Sequence, residues 1–141
     1  MSVINIAASG MAAAMARLNV SAQNVANSQS NGALPDFQAT AGAGAAPAPT
    51  AYAPLQLSQF SLPLSQGGGV QTKVTTSPNP QQTTYDPSAS YADARGLVAT
   101  PNVDPAVEAV NQIEALNQFK ASVNVFKVGE EMMAVALKLT V

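Results

Sequence analysis

The chain has 141 residues, enough for one domain, with no cysteine, no histidine and a formal net charge of −2. This excludes disulfides, Cys/His metal centres and His-dependent catalysis, and it argues against an electrostatic footprint for nucleic acid. Only 10% of the residues are charged, against roughly 25% in an ordinary soluble domain. Alanine supplies 27 residues, while Leu, Ile, Val and Phe together number 31, so a large self-contained core is not expected. All ten prolines lie between Pro35 and Pro105, which leaves both ends free to form long helices.

The N-terminal segment repeats Ile4, Ala8, Met11, Met15, Leu18, Ala22 and Val25 at alternating separations of four and three, a heptad stripe. The spacing predicts a helix from about Val3 to Val25, roughly 35 Å long. Gly10 costs it about 1 kcal/mol relative to alanine. Together, Ala7, Gly10 and Ala14 are small enough to let a neighbouring helix approach closely. Its single charge is Arg17, and the polar positions are Asn5, Ser9, Asn19, Ser21, Gln23, Asn24 and Asn27. A helix with so little charge is expected to touch protein on several faces. The first basic residue follows the apolar run, the wrong order for a cleaved secretory signal. No stretch is expected to reach the ~20 apolar residues of a transmembrane helix. Asn27, Asn31 and Gly32 supply turn chemistry to end the helix.

The middle, 28–103, is different material: nine prolines, seven glycines and only five charges, Asp36, Lys73, Asp86, Asp93 and Arg95. Residues 39–49 are low-complexity Ala/Gly/Pro, expected to be mobile and to tolerate deletion. Alternation in 51–57 and 59–64 gives a faint strand signal interrupted by Pro54 and Pro63. Val70–Thr76, β-branched and preceded by three glycines, is the better strand, and a short hairpin is expected.

The last helix has a clear start: Asp104 as cap, Pro105 at the first helical position, Glu108 near the positive helix end. Its apolar positions run Val107, Val110, Ile113, Leu116, Phe119, then shift register to Ala121, Val125, Val128, Met132, Val135, Leu139. The shift predicts a broad apolar surface with more than one neighbour. At about 36 residues it spans roughly 54 Å, natural for a coiled coil.

Other motifs carry little chemistry. Gly67-Gly68-Gly69 lacks the Lys-Ser/Thr ending of a phosphate loop and reads as a hinge before a strand. Asp86 and Asp93 sit in a turn-rich stretch where Asp serves local hydrogen bonding, and no catalytic or metal role is assigned to them. The sequon Asn19-Val20-Ser21 lies inside the predicted helix and reads as chance.

Several stretches carry a family resemblance. Ala8-Ser9-Gly10-Met11, Arg17-Leu18-Asn19-Val20 and Asn24-Val25-Ala26-Asn27 resemble the N-terminal signature of bacterial flagellar axial proteins (rod, hook and hook-associated), whose first helix ends in an "NNxAN" segment. Tyr85-Asp86-Pro87, the run from Ala92 to Val98, and Pro101-Asn102-Val103-Asp104 resemble the "YDP…HPxAdxxGYVxxPNVD" stretch of the proximal-rod branch. The resemblance covers 1–32 and 68–141. It departs at Ser28, at Leu97 and at Phe119, the last two where Tyr is usual.

The resemblance implies a structural, non-enzymatic subunit of the proximal rod that polymerises through its terminal helices. It further implies export by the flagellar type III apparatus without a cleaved signal, and a place in the periplasm-spanning rod between the membrane ring and the distal rod. Partners are further copies, other rod subunits, the ring and the export apparatus; no cofactor, nucleic acid or membrane insertion is implied. The expected fold is mainly α, with N- and C-terminal helices pairing as a coiled-coil-like layer around an irregular middle holding a short β-hairpin. The expected divisions are 1–32 (first helix), 33–67 (divergent insert), 68–103 (extended segment) and 104–141 (last helix). Ile4, Met11, Met15, Leu18 and Val25 are expected to pack against Val125, Val128, Met132, Val135 and Leu139 of the same or neighbouring subunits. The family-motif positions are Asn24, Ala26, Asn27, Pro101, Asn102, Val103 and Asp104. Before assembly both terminal helices are expected to be largely unfolded. Alternatives are another axial subunit, or a small secreted module that binds through residues 51–91.

Overall fold

The computed structural model describes residues 3–35 and 48–139; most of the low-complexity stretch 39–49 therefore lies outside the described residues. Two long helices carry the fold: α1, Val3–Ala26, and α2, Pro105–Leu139. Both match the proline-free ends of the sequence. The C-terminal carbonyls of α1 are closed by side chains: Asn27 Nδ2 donates to Gln23 O at 2.9 Å and Ser28 Oγ to Val25 O at 2.8 Å. Asp104 caps α2, its Oδ1 accepting from Ala106 N at 2.8 Å.

Between the helices lie four strands in two antiparallel pairs: β1 (Leu55–Ser61) with β2 (Val70–Thr76), and β3 (Gln81–Tyr85) with β4 (Leu97–Pro101). The expected single hairpin is thus two. The two faint strand signals fuse into one strand, β1, which begins after Pro54 and ends before Pro63. Its register runs from Leu55↔Thr76 to Ser61↔Val70, so the hairpin crosses the compositional boundary between 67 and 68. Gly67, Gly68 and Gly69 all have positive φ and make the connection. At Gly69 the turn presses on α1, where a β-carbon would collide with Ser9 Oγ. Ser9 Oγ instead accepts the Val70 N–H at 3.0 Å, fixing the hairpin to the helix.

The second hairpin adds part of the small core. Val98, Ala99 and Pro101 of β4 are buried, and Gly32 pairs with Ala99 through two bonds of 2.9 Å. Tyr52 N donates to Ser30 O at 3.0 Å, so the chain just after α1, the segment leading into β1, and β4 close on one another. In the 86–96 loop, Asp86 Oδ1 accepts from Ser88 Oγ at 2.6 Å. Asp93 Oδ1 accepts from the N–H groups of Arg95 and Leu97, each at 2.8 Å. The Leu97 bond, above all, holds the Asp93 carboxyl below its ordinary value, helped by Arg95 and opposed by burial. Both acids therefore hold turns.

Candidate assembly surface

The helices run antiparallel, with Asn24 beside Glu108, Arg17 beside Glu114, Gly10 beside Ser122 and Ile4 beside Gly129. The seam between them is made of small and polar residues. On α1 the buried positions include Ala7, Gly10, Ala14, Ser21 and Asn24; on α2 they are Ala115 and Gly129. A β-carbon at Gly10 would lie 2.7 Å from Ser122 Oγ and 3.5 Å from its Cβ, so a small residue here leaves room for the Ser122 side chain in the seam. The closeness of Ala7, Gly10 and Ala14 was legible in their size; their intramolecular partner was not.

The seam is pinned at one end by hydrogen bonds. Asn24 is 3% exposed and makes four of them. Its Nδ2 donates to Leu55 O at 2.9 Å and to Glu108 Oε1 at 2.7 Å. Its Oδ1 accepts from Leu55 N at 2.9 Å and Tyr52 OH at 3.1 Å. The side chain thus pairs with Leu55 as a neighbouring strand would, and it joins α1, β1 and α2 at one point. Ser21, 2% exposed, donates to Glu108 O at 3.0 Å, and Asn111 Nδ2 donates to Glu108 Oε2 at 3.2 Å. Burial, and then the Glu108 carboxylate, raise the Tyr52 hydroxyl above its ordinary pKa. An open cleft of about 490 Å³ lies beside this cluster, walled by Arg17, Gln56, Asn102, Asp104 and Glu108. Ser21, Tyr52 and Glu108 were not singled out for the seam by the sequence. For Ser21 the available signal was an uncharged polar residue in register with the small stripe; Tyr52 and Glu108 lie on other elements and share no period with it.

Of the expected interface residues, only Ile4 is seen against α2, beside Gly129 at the end of the seam. Ile4 and Met11 are half-buried, whereas Met15 (55% exposed), Leu18 and Val25 are open to solvent. On α2, Val125, Val128 (53% exposed), Met132, Val135 and Leu139 are all exposed. Val128, Met132, Val135 and Leu139 share a shallow apolar groove along the end of α2. Within one chain the two stripes do not form the helix seam: the small stripe does, because it permits closer backbones and completes the polar cluster.

Of the motif residues, Asn24 forms the cluster, Ala26 is the last residue of α1, and Asn27 caps it. Pro101 is buried at the end of β4. Asn102 N donates to Pro80 O at 3.0 Å, Val103 is half-buried and Asp104 caps α2. By length and composition α1 is apolar enough to cross a bilayer, which corrects the expectation that no stretch reaches that measure. In the fold it is a helix packed along α2.

Paired terminal helices that leave long apolar stripes exposed have the architecture of an assembly subunit. Residues 94–139 match the family described as flagellar basal body rod FlgEFG protein C-terminal. The chain is similar to the flagellar basal-body rod protein FlgC of Yersinia enterocolitica, 32% identical over 140 residues, 99% of this chain and 96% of that one. The FlgC of Salmonella typhimurium is 33% identical over the same shares. That of Bacillus subtilis is 27% identical over 143 residues, 96% of this chain and 95% of its own. The chain belongs to the FlgC family, structural rod subunits of the bacterial flagellar basal body.

Proposed function

We propose that this rod subunit polymerises through the outer faces of its terminal helices, which form a coiled-coil-like layer with those of neighbouring copies. The assembled copies serve as the proximal rod, joining the membrane ring to the distal rod and transmitting torque. One geometric observation carries this reading. Each of Met11, Met15, Leu18 and Val25 follows a seam residue by one position, a turn of about 100° forward around α1. On α2, Val128 precedes the seam residue Gly129 by one, and Met132 follows it by three, turns of about 100° and 60° backward. In an antiparallel pair these opposite offsets place the two stripes on opposite sides. A single chain leaves Met15, Leu18 and Val25 on one side and Val128 and Met132 on the other exposed; a second copy can cover each stripe with the other. Each large side chain so buried contributes about 1.5–3 kcal/mol.

Export without a cleaved leader, through the flagellar type III apparatus, accords with the same packing. Ala7, Gly10 and Ala14 are part of the seam, and cleavage after the apolar run would remove the N-terminal half of α1. Ser21 and Asn24, bonded to α2, suit α1 to protein contact rather than to lipid. Electron microscopy of basal bodies from a strain lacking the gene tests the role. Rings without rod or hook are expected; complete, rotating flagella would overturn it.

A further inference from the structure

We propose that the buried Asn24 cluster fixes the rotation of α1 about its own axis against α2, holding the small stripe inward and the large apolar stripe outward. The assembly reading supplies only what covers the outward stripe; the lock is a property of one chain.

Two heptad-spaced stripes compete on α1. One is Ala7, Gly10, Ala14, Arg17, Ser21 and Asn24; the other is Ala8, Met11, Met15, Leu18, Ala22 and Val25, each one residue later. A rotation of about 100° exchanges them. Apolar burial by itself favours the second stripe, which offers Met, Leu and Val where the first offers Ala, Gly, Ser and Asn. Small residues such as Gly10 and Ala14 permit close approach but make no directional bond. Arg17 adds an ion pair to Glu114 at 3.3 Å, too exposed to decide the matter.

Against α2 and the start of β1 the directional bonds are those of Asn24 and Ser21, while Ser9 Oγ, accepting from Val70 N, ties the other end of α1 to the β1–β2 turn. Turning α1 carries Asn24 away from Leu55, Tyr52 and Glu108, leaving both Leu55 backbone groups without the partner they now have. The Ser21 bond to Glu108 O breaks with them. A single buried asparagine that selects one packing arrangement at the expense of a more apolar alternative is a known use of such groups in helix assemblies. Here the selected arrangement keeps the chain from burying its own assembly stripe.

Cysteine pairs read the rotation directly, because the chain has no cysteine of its own. Gly10→Cys with Ser122→Cys sets β-carbons about 3.5 Å apart, within disulfide range. Met11→Cys with Ser122→Cys reports the rotated state. In the full-length chain the first pair should close at least about tenfold faster than the second. Adding Asn24→Leu should bring that ratio near one or reverse it, with helical circular dichroism retained. An Asn24 that merely stabilises the fold would slow both pairs together, and an unchanged ratio would overturn the lock. If Asn24→Leu loses its helical signal, Glu108→Ala decides, since it leaves the Leu55 bonds in place. A fall of about threefold in the ratio supports the lock and no fall refutes it. Failure of the unsubstituted chain to polymerise would strike the assembly reading and leave the crosslinking ratio where it was.

Discussion

The inner and outer faces of the helix pair follow opposite rules. Inside, Ala7, Gly10, Ala14, Ala115 and Gly129 bring the backbones together, and Asn24 is fully hydrogen-bonded. Outside, Met15, Leu18, Val128 and Met132 stand exposed, the reverse of a globular helix that buries its large apolar side chains. The inner face is complete within one chain; the outer face is not. The contrast accords with the proposed assembly, in which neighbouring copies cover the outer stripes, since isolated apolar residues are normal on a surface but sustained stripes are not.

Substitution on the outer face should give the largest effect. Leu18→Asp and Val128→Asp should each abolish polymer formation and motility, because each puts an unpaired charge into an intermolecular contact. The circular dichroism of the dilute chain should stay as it is. If the two stripes lie on opposite sides, mixing the two variants should yield one-to-one dimers through the intact faces and no polymer, seen by analytical ultracentrifugation. Normal motility in either variant would break the contrast between the faces.

Along the pair, its two ends should also differ. Residues 130–139 run past Val3, the first described residue of α1, and every one of them is exposed. Hydrogen exchange on the dilute chain should show protection through 104–129 and little beyond 130. Absence of protection throughout would instead support the expectation that both terminal helices order only on assembly.

Seam substitutions come next. Gly10→Leu should lower stability by about 1–3 kcal/mol by forcing the helices apart, read from the thermal midpoint. Gly10→Ala should change it little: the Ser122 hydroxyl can rotate away, and the helix gains about 1 kcal/mol of propensity. Asp104→Ala should cost about 1 kcal/mol through loss of the cap.

The smallest effect is a matter of pH. Asp93 has a folded pKa below its ordinary value. Its contribution is therefore full above the ordinary carboxylate pKa of about 3.9 and is lost as pH falls through the lower folded value. Amide exchange at Arg95 and Leu97 should quicken there, while the Asn24 end of the seam stays protected.

Much of the architecture is legible in the sequence. The absence of proline from both ends, and the Asp104-Pro105 start, determined two long helices within a residue or two of where they lie. Turn chemistry at Asp86 and Asp93 was readable because its bonds are local. The apolar stripes were visible as periodicity, which reports that a face is apolar but not what covers it. Only the tertiary structure decided which face of α1 turns toward α2. That choice rests on Asn24 meeting Leu55, 31 residues on, and Glu108, 84 residues on. Pairings so distant leave no period in a sequence: they exist only once close packing and hydrogen-bond satisfaction bring the partners together.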